Sequence, residues 1–393
     1  MFNEKMVKLG RNRSVIRDLF EYGNELKKTV GADRVFDFTL GNPSVPTPNK
    51  VDETLISLIK TEPRIHAYTS APGAENVRKA IADCQKSRYG LPVSPDLVYM
   101  TCGAAAGLAI SLKAAITPER NEVIVVPPFF PEYSVFIDNA GGNEVVLPLD
   151  EKAFQIDLSA LKAAIGEKTA AIILNSPNNP SGVVYTEETI KAVSGILAAA
   201  EQKYGNTIVL ISDEPYREIR FVDNVTSPMN YYNDCVLCYS FSKSFSLPGE
   251  RIGFLAVSEK MNGASEFFAA VAGAGRSLGY VCAPSLMQNA VAACCGEPSD
   301  VTVYKRNRDT LCKFFSERGL KVANPKGAFY LLVASPDGNG VRFSEHAKKY
   351  GLLIVPTDSF GAKGYVRIAT CVSEDLVDRS LSVFDEALKT YKA

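Results

Sequence analysis

From residue 97 onward the chain alternates short apolar runs with amphipathic stretches. This rhythm restricts the fold more than any other feature of the 393 residues. Runs at 97–101, 122–126, 144–147, 170–174, 208–211, 235–239 and 252–257 have strand length and few polar side chains. Helical patterns at 104–116, 134–140, 157–166 and 186–204 separate many of them. Asp157 and Thr186 are placed to cap two of these helices. Glu187 and Glu188 then suit the positive end of the second. Apolar strands joined by crossover helices predict a largely parallel sheet covered on both faces.

In such sheets ligands collect beyond the carboxyl ends of the strands. The residues with chemistry to offer fall there: Gly103, Phe130, Asn179, Asp213 and Lys243 each follow a different apolar run. That clustering predicts one site.

The flanks read differently. The N-terminal part predicts helices at 14–30, 51–60 and 74–90, a strand at 35–40, and irregular stretches at 41–48 and 67–73. After Gly275 come a basic helix at 299–318, strands at 325–333, 351–355 and 365–370, and a last helix at 374–391. The expectation is an α/β protein: a large domain with a mostly parallel central sheet over 48–289, and a smaller α+β domain over 290–393. The segment 1–47 joins the smaller one. The length suits two domains.

Hydrophobic residues make up 46% and charged residues 22%, an ordinary globular balance. A net charge of −1 offers no footprint for nucleic acid or an anionic membrane. No apolar run is long enough to span a bilayer, and the start has no secretory pattern. The nine cysteines are scattered, and the adjacent Cys294 and Cys295 lack metal-ligand spacing. Reduced thiols in a cytoplasmic protein are expected. With His66 and His346 alone, no histidine metal site and no Ser-His-Asp triad is expected.

The run Ser240-Phe241-Ser242-Lys243 follows an apolar strand, and Arg251 stands eight residues beyond the lysine. A lysine in a strand-end pocket loses its proton more easily and, neutral, forms Schiff bases with carbonyl carbon. The hydroxyls and Arg251 suit a phosphate. A solvated lysine in a serine-rich turn is the plain alternative. Gly103, Ala104 and Ala105 open a helix, whose free N–H groups favour an anion, although close packing alone explains small residues there. Asp213 needs a partner at the end of an apolar strand, either a cation or a turn that it caps. Phe130 can stack on a planar ring or simply pack. Asn179 sits in turn chemistry where asparagine is common. Arg367 interrupts an apolar strand; turned inward it requires an anion, and a carboxylate fits its fork.

Taken in order, Asn-Pro-Ser-Gly at 179–182, Asp-x-x-Tyr at 213–216, Ser-x-Ser-Lys at 240–243, Arg251 and Arg367 resemble the class I/II, aspartate aminotransferase-like enzymes of fold type I. The resemblance runs from Gly41 to Arg367. It implies pyridoxal 5'-phosphate, bound covalently by Lys243. Asp213 would pair with the ring nitrogen, and Tyr216 and Asn179 with the phenolic oxygen. Gly103, Ala104, Ala105, Ser240, Ser242 and Arg251 would hold the phosphate, and Phe130 would stack on the ring. Tyr68 would serve the neighbouring subunit of a homodimer. Arg367 would grip the substrate α-carboxylate near Gly41 and Asn179. Lys243 would move the proton at Cα, passing an amino group between an L-amino acid and a 2-oxo acid.

Three positions depart from the family's habit. Phe130 stands where Trp or Tyr is common, and Ala104 and Ala105 stand where hydroxyls or a lysine occur. Arg276, 33 residues after Lys243, is the candidate for a distal carboxylate of an aspartate- or glutamate-like donor, with 2-oxoglutarate as acceptor. A surface arginine is its ordinary alternative. The same parts can run β-elimination, as in a C–S lyase. The fold can also serve as a regulatory module on a DNA-binding domain; the early Gly41 and the neutral charge argue against that.

Overall fold

The computed structural model describes residues 2–11 and 14–392. Seven strands form the main sheet, in the spatial order Val93–Thr101, Gly253–Ser258, Cys235–Ser240, Val209–Asp213, Thr169–Asn175, Glu122–Val125 and Asn143–Val146. The last five run parallel. Gly253–Ser258 is antiparallel to both of its neighbours.

Period-two alternation sends successive side chains of each central strand to opposite cores. Ile172, Leu174, Leu210 and Leu237 enter one buried cluster. Ala171, Ile173, Val209, Ile211 and Val236 enter another, together with the inner helix. Full burial of one such aliphatic side chain is worth about 1.5–3 kcal/mol. Ala104–Ala115 is that inner helix, packed between the sheet and the helix Ala264–Leu278. Its small residues permit close approach: a Cβ on Gly107 would lie 3.4 Å from Cys238 Sγ.

A second sheet of three antiparallel strands, Val355–Pro356, Tyr365–Ala369 and Tyr330–Ala334, builds the other core with Phe315, Phe343 and Phe384. The expected strand at 35–40 shortens to Phe36–Asp37, which pairs in parallel with Leu352–Leu353. Beyond it, Asp37 Oδ1 binds the amide and hydroxyl of Thr39. Helix Val15–Val30 starts where Ser14 accepts from the Arg17 amide and packs Leu19 against Val355 and Phe360.

No local sequence pattern singled out the helices Ala264–Leu278, Ser285–Ala293 and Gly340–Lys348. Thiols were expected throughout, yet Cys84 and Cys295 are joined as a disulfide with Cα atoms 6.3 Å apart. They lie 211 residues apart in sequence and meet because helix Glu75–Tyr89 packs on Ser285–Ala293. No described helix is long and apolar enough to cross a membrane.

Candidate active site

The carboxyl edge of the main sheet opens on a cavity of about 370 Å³, closed from the other side by the smaller sheet. Register aligns its floor. Gly253 pairs with both Thr101 and Ser240, so three strand ends meet side by side.

Asp213 is the last residue of its strand rather than part of the following turn. It is 5% exposed. Tyr133 donates to its Oδ2 at 2.5 Å, while Oδ1 has no hydrogen-bond partner among the described residues. Burial pushes the carboxyl up to about 7, against the downward pull of the tyrosine. The strand fixes the backbone as well, since Asn175 donates its side-chain amide to the Asp213 carbonyl at 2.8 Å.

Lys243 lies in a single helical turn, Phe241–Ser244, not in a loop. Ser240 ends its strand and caps that turn by accepting from the Ser242 amide. The two serine hydroxyls stand 2.7 Å apart. Lys243 Nζ donates to the Gly41 carbonyl at 2.6 Å. Burial brings the amine down to about 8, and the Arg367 and Arg251 cations push the same way.

Arg367 occupies the middle of strand Tyr365–Ala369 and is 2% exposed, so it points inward. It donates to Asn179 Oδ1 at 3.0 Å and to the Thr39 carbonyl at 2.6 Å. Its guanidinium lies 4.5 Å from the Tyr330 ring centre, and its Nε has no hydrogen-bond partner among the described residues. A buried guanidinium with donor capacity to spare is an anion site. Beside it, the Tyr216 and Tyr330 hydroxyls are 3.2 Å apart. Burial raises Tyr216 well above the ordinary phenol range, which keeps it a neutral donor.

At the opposite end Gly103, with φ of 85°, turns the chain into helix Ala104–Ala115. Only glycine adopts that geometry freely, and a Cβ there would stand 2.9 Å from Arg251 Nη2. Arg251 is itself in the left-handed region and is held by the Cys102 and Pro248 carbonyls. A helix start facing an arginine attracts an anion.

The cavity therefore gathers Gly41, Ala104, Ala105, Phe130, Asn179, Asp213, Tyr216, Ser240, Ser242, Lys243, Arg251 and Arg367. Gly103 borders it through Arg251. Tyr68 and Arg276 lie elsewhere. Tyr68 is 97% exposed, and Arg276 is exposed near the end of Ala264–Leu278. Their segments adjoin, because the Cys282 amide donates to the Ala71 carbonyl. Tyr133 and Tyr330 were not singled out by the sequence. Tyr133 comes one helical turn after Phe130, and Tyr330 reads as one more apolar strand residue; neither position carries a distinctive motif.

The family model for aminotransferase class I and II matches residues 33–384. A probable aspartate aminotransferase of Methanocaldococcus jannaschii is 30% identical over 382 residues, 95% of this chain and 96% of its own. Among solved structures, an amino transferase from Eubacterium rectale is 43% identical with a TM-score of 0.97, over all of both chains. An aspartate aminotransferase from Thermotoga maritima is 28% identical with a TM-score of 0.86, over 99% of this chain and 100% of that one. Sequence match, fold and a strand-end site thus agree, and the chain belongs to the class I and II aminotransferases, fold-type-I enzymes that move an amino group between an amino acid and a 2-oxo acid.

Proposed function

We propose that this aminotransferase works with pyridoxal 5'-phosphate held in the cavity around Lys243. The observation that carries the reading is the buried Asp213, whose Oδ1 lacks a partner in the cavity that Lys243 also lines. A carboxylate so buried calls for a cation, and a protonated ring nitrogen is one. The glycine turn at 103 with Arg251 suits the phosphate, and Phe130 offers a ring face. The residues fit the group.

The cofactor supplies an aldehyde for amines and a protonated ring that takes up electron density from Cα. The chain does the rest. Arg367, fixed by Asn179 and Thr39, binds the substrate α-carboxylate and sets which bond at Cα faces Lys243. Lys243 is partly neutral near neutral pH, because burial lowers its pKa, and acts as the base that takes the Cα proton. Asp213, once beside a cation, stays ionised and keeps the ring nitrogen protonated. Tyr216 donates its hydroxyl to the phenolic oxygen. Ser240, Ser242 and Arg251 hold the phosphate.

The active form in this reading is a homodimer, in which Tyr68 and Arg276 of one copy reach the site of the other. Their segments adjoin through the hydrogen bond from the Cys282 amide to the Ala71 carbonyl, and Tyr280 and Val281 beside it are exposed, which supports a common destination. The chain divides into 1–47 with 290–393 as the small domain and 48–289 as the large one. Arg276 then meets the distal carboxylate of an aspartate- or glutamate-like donor, with 2-oxoglutarate as acceptor; the aspartate aminotransferases among the relatives support that choice.

The test is spectroscopic and chemical. Purified protein should show an absorbance band near the visible edge that borohydride removes and that an amino donor changes only until a 2-oxo acid restores it. Protein without such a band refutes the cofactor, and turnover that needs no 2-oxo acid refutes transamination in favour of elimination.

A further inference from the structure

We infer that Tyr330 is a positioning residue that locks the carboxylate-binding Arg367 to Tyr216, so that the substrate grip and the cofactor-facing hydroxyl move as one unit. The inference rests on the reading of Arg367 and Tyr216 given above. Three contacts converge on this one side chain. Its ring lies under the Arg367 guanidinium at 4.5 Å, while Phe360 lies 5.3 Å from the same guanidinium. Its hydroxyl is 3.2 Å from that of Tyr216, and the two rings pack edge to face with centres 5.8 Å apart. Its hydroxyl also stands against the Gly41 backbone, where a Cβ would come within 1.7 Å of it. Gly41 is the residue whose carbonyl receives Lys243 Nζ.

Position gives these contacts meaning. Tyr330 begins a strand of the smaller sheet and pairs with Ala369, two residues from Arg367. Tyr216 follows a strand of the main sheet. Tyr330 is thus a bridge between the two sheets at the cavity, and it is 3% exposed. Burial raises its phenol above the ordinary value, so it remains a neutral hydroxyl. A planar guanidinium over an aromatic face keeps its plane, and hence its fork, in one orientation. The hydroxyl pair is polarised in series: when Tyr216 donates onward, Tyr330 donates to Tyr216 and strengthens that donor.

The two functions separate by mutation of holoenzyme. Tyr330→Phe keeps the ring and removes the hydroxyl. Tyr216 then stabilises negative charge on the phenolic oxygen less well, and the pH midpoint of the cofactor band should rise by about 0.3–1 unit. KM for the amino donor should stay within about twofold of wild type, since the ring still supports Arg367. Tyr330→Leu removes both and should raise KM about two- to thirtyfold. A wild-type midpoint in Tyr330→Phe overturns the inference, and so does an unchanged KM in folded Tyr330→Leu. Should the leucine variant fail to fold, the phenylalanine variant decides alone. A wild-type enzyme with no such band overturns the cofactor reading and this inference with it; a band with an unmoved midpoint in Tyr330→Phe overturns this inference only.

Discussion

Tyr133 reaches from the helix Glu132–Ala140 to donate to Asp213 Oδ2 at 2.5 Å across 80 residues of sequence. It is the one hydrogen bond to that carboxylate among the described residues, and it lowers the pKa that burial raises. Tyr133→Phe should therefore raise the pH at which Asp213 ionises in protein stripped of cofactor. A hydrogen bond to a charged group is worth about 1.5–3 kcal/mol, so the midpoint should rise by about one to two units. Carboxyl titration followed by NMR measures it, and superimposable curves for variant and wild type would remove Tyr133 from the site.

The same burial predicts a stability slope in protein stripped of cofactor. The folded pKa of Asp213 is raised from 3.8 to about 7. Between those values the native state binds more protons than the unfolded state, so stability falls as pH rises through about 4 to 7. The contribution is at most about 4 kcal/mol. Asp213→Asn should flatten that part of the curve and gain on wild type most clearly at pH 8. Denaturant melts at pH 5 and pH 8 measure it, and parallel curves for the two proteins would refute it.

Lys243→Ala should abolish transamination while free cofactor can still bind. Borohydride treatment of wild type followed by peptide mapping should find the adduct on Lys243. An adduct on another lysine reassigns the site.

Arg276→Ala should lower kcat/KM for aspartate by about thirtyfold to several thousandfold, the range for breaking a buried charge pair. Alanine and phenylalanine should be nearly unaffected. A panel of amino donors run against 2-oxoglutarate reads the outcome. An unchanged donor profile returns Arg276 to the ordinary surface, where its exposure in one chain places it.

A dimer with shared sites predicts complementation. Inactive Lys243→Ala mixed with a Tyr68→Phe variant of weakened cofactor affinity should recover part of the activity, because hybrid dimers carry one intact site. Additive behaviour on mixing, or an active monomer in sedimentation, would contradict it.

The sequence by itself determined the α/β alternation, because fully buried parallel strands require long apolar runs between crossover helices. It determined the caps at Asp157 and Thr186, where a side-chain oxygen must satisfy free amides of the first turn. It also determined that Asp213, Lys243 and Asn179 collect at one edge, since each follows an apolar strand run, and the three line one cavity. Family resemblance, rather than periodicity, supplied the roles.

Tertiary structure alone decided the rest. The antiparallel direction of Gly253–Ser258 follows from packing and brings Thr101, Gly253 and Ser240 into line. The Cys84–Cys295 disulfide depends on two helices meeting, which no local pattern encodes. Tyr133 and Tyr330 look like ordinary core aromatics in sequence. A tyrosine ring is buried by the same apolar pattern whether or not its hydroxyl meets a charge, and only the folded chain brings those two hydroxyls to Asp213 and Tyr216.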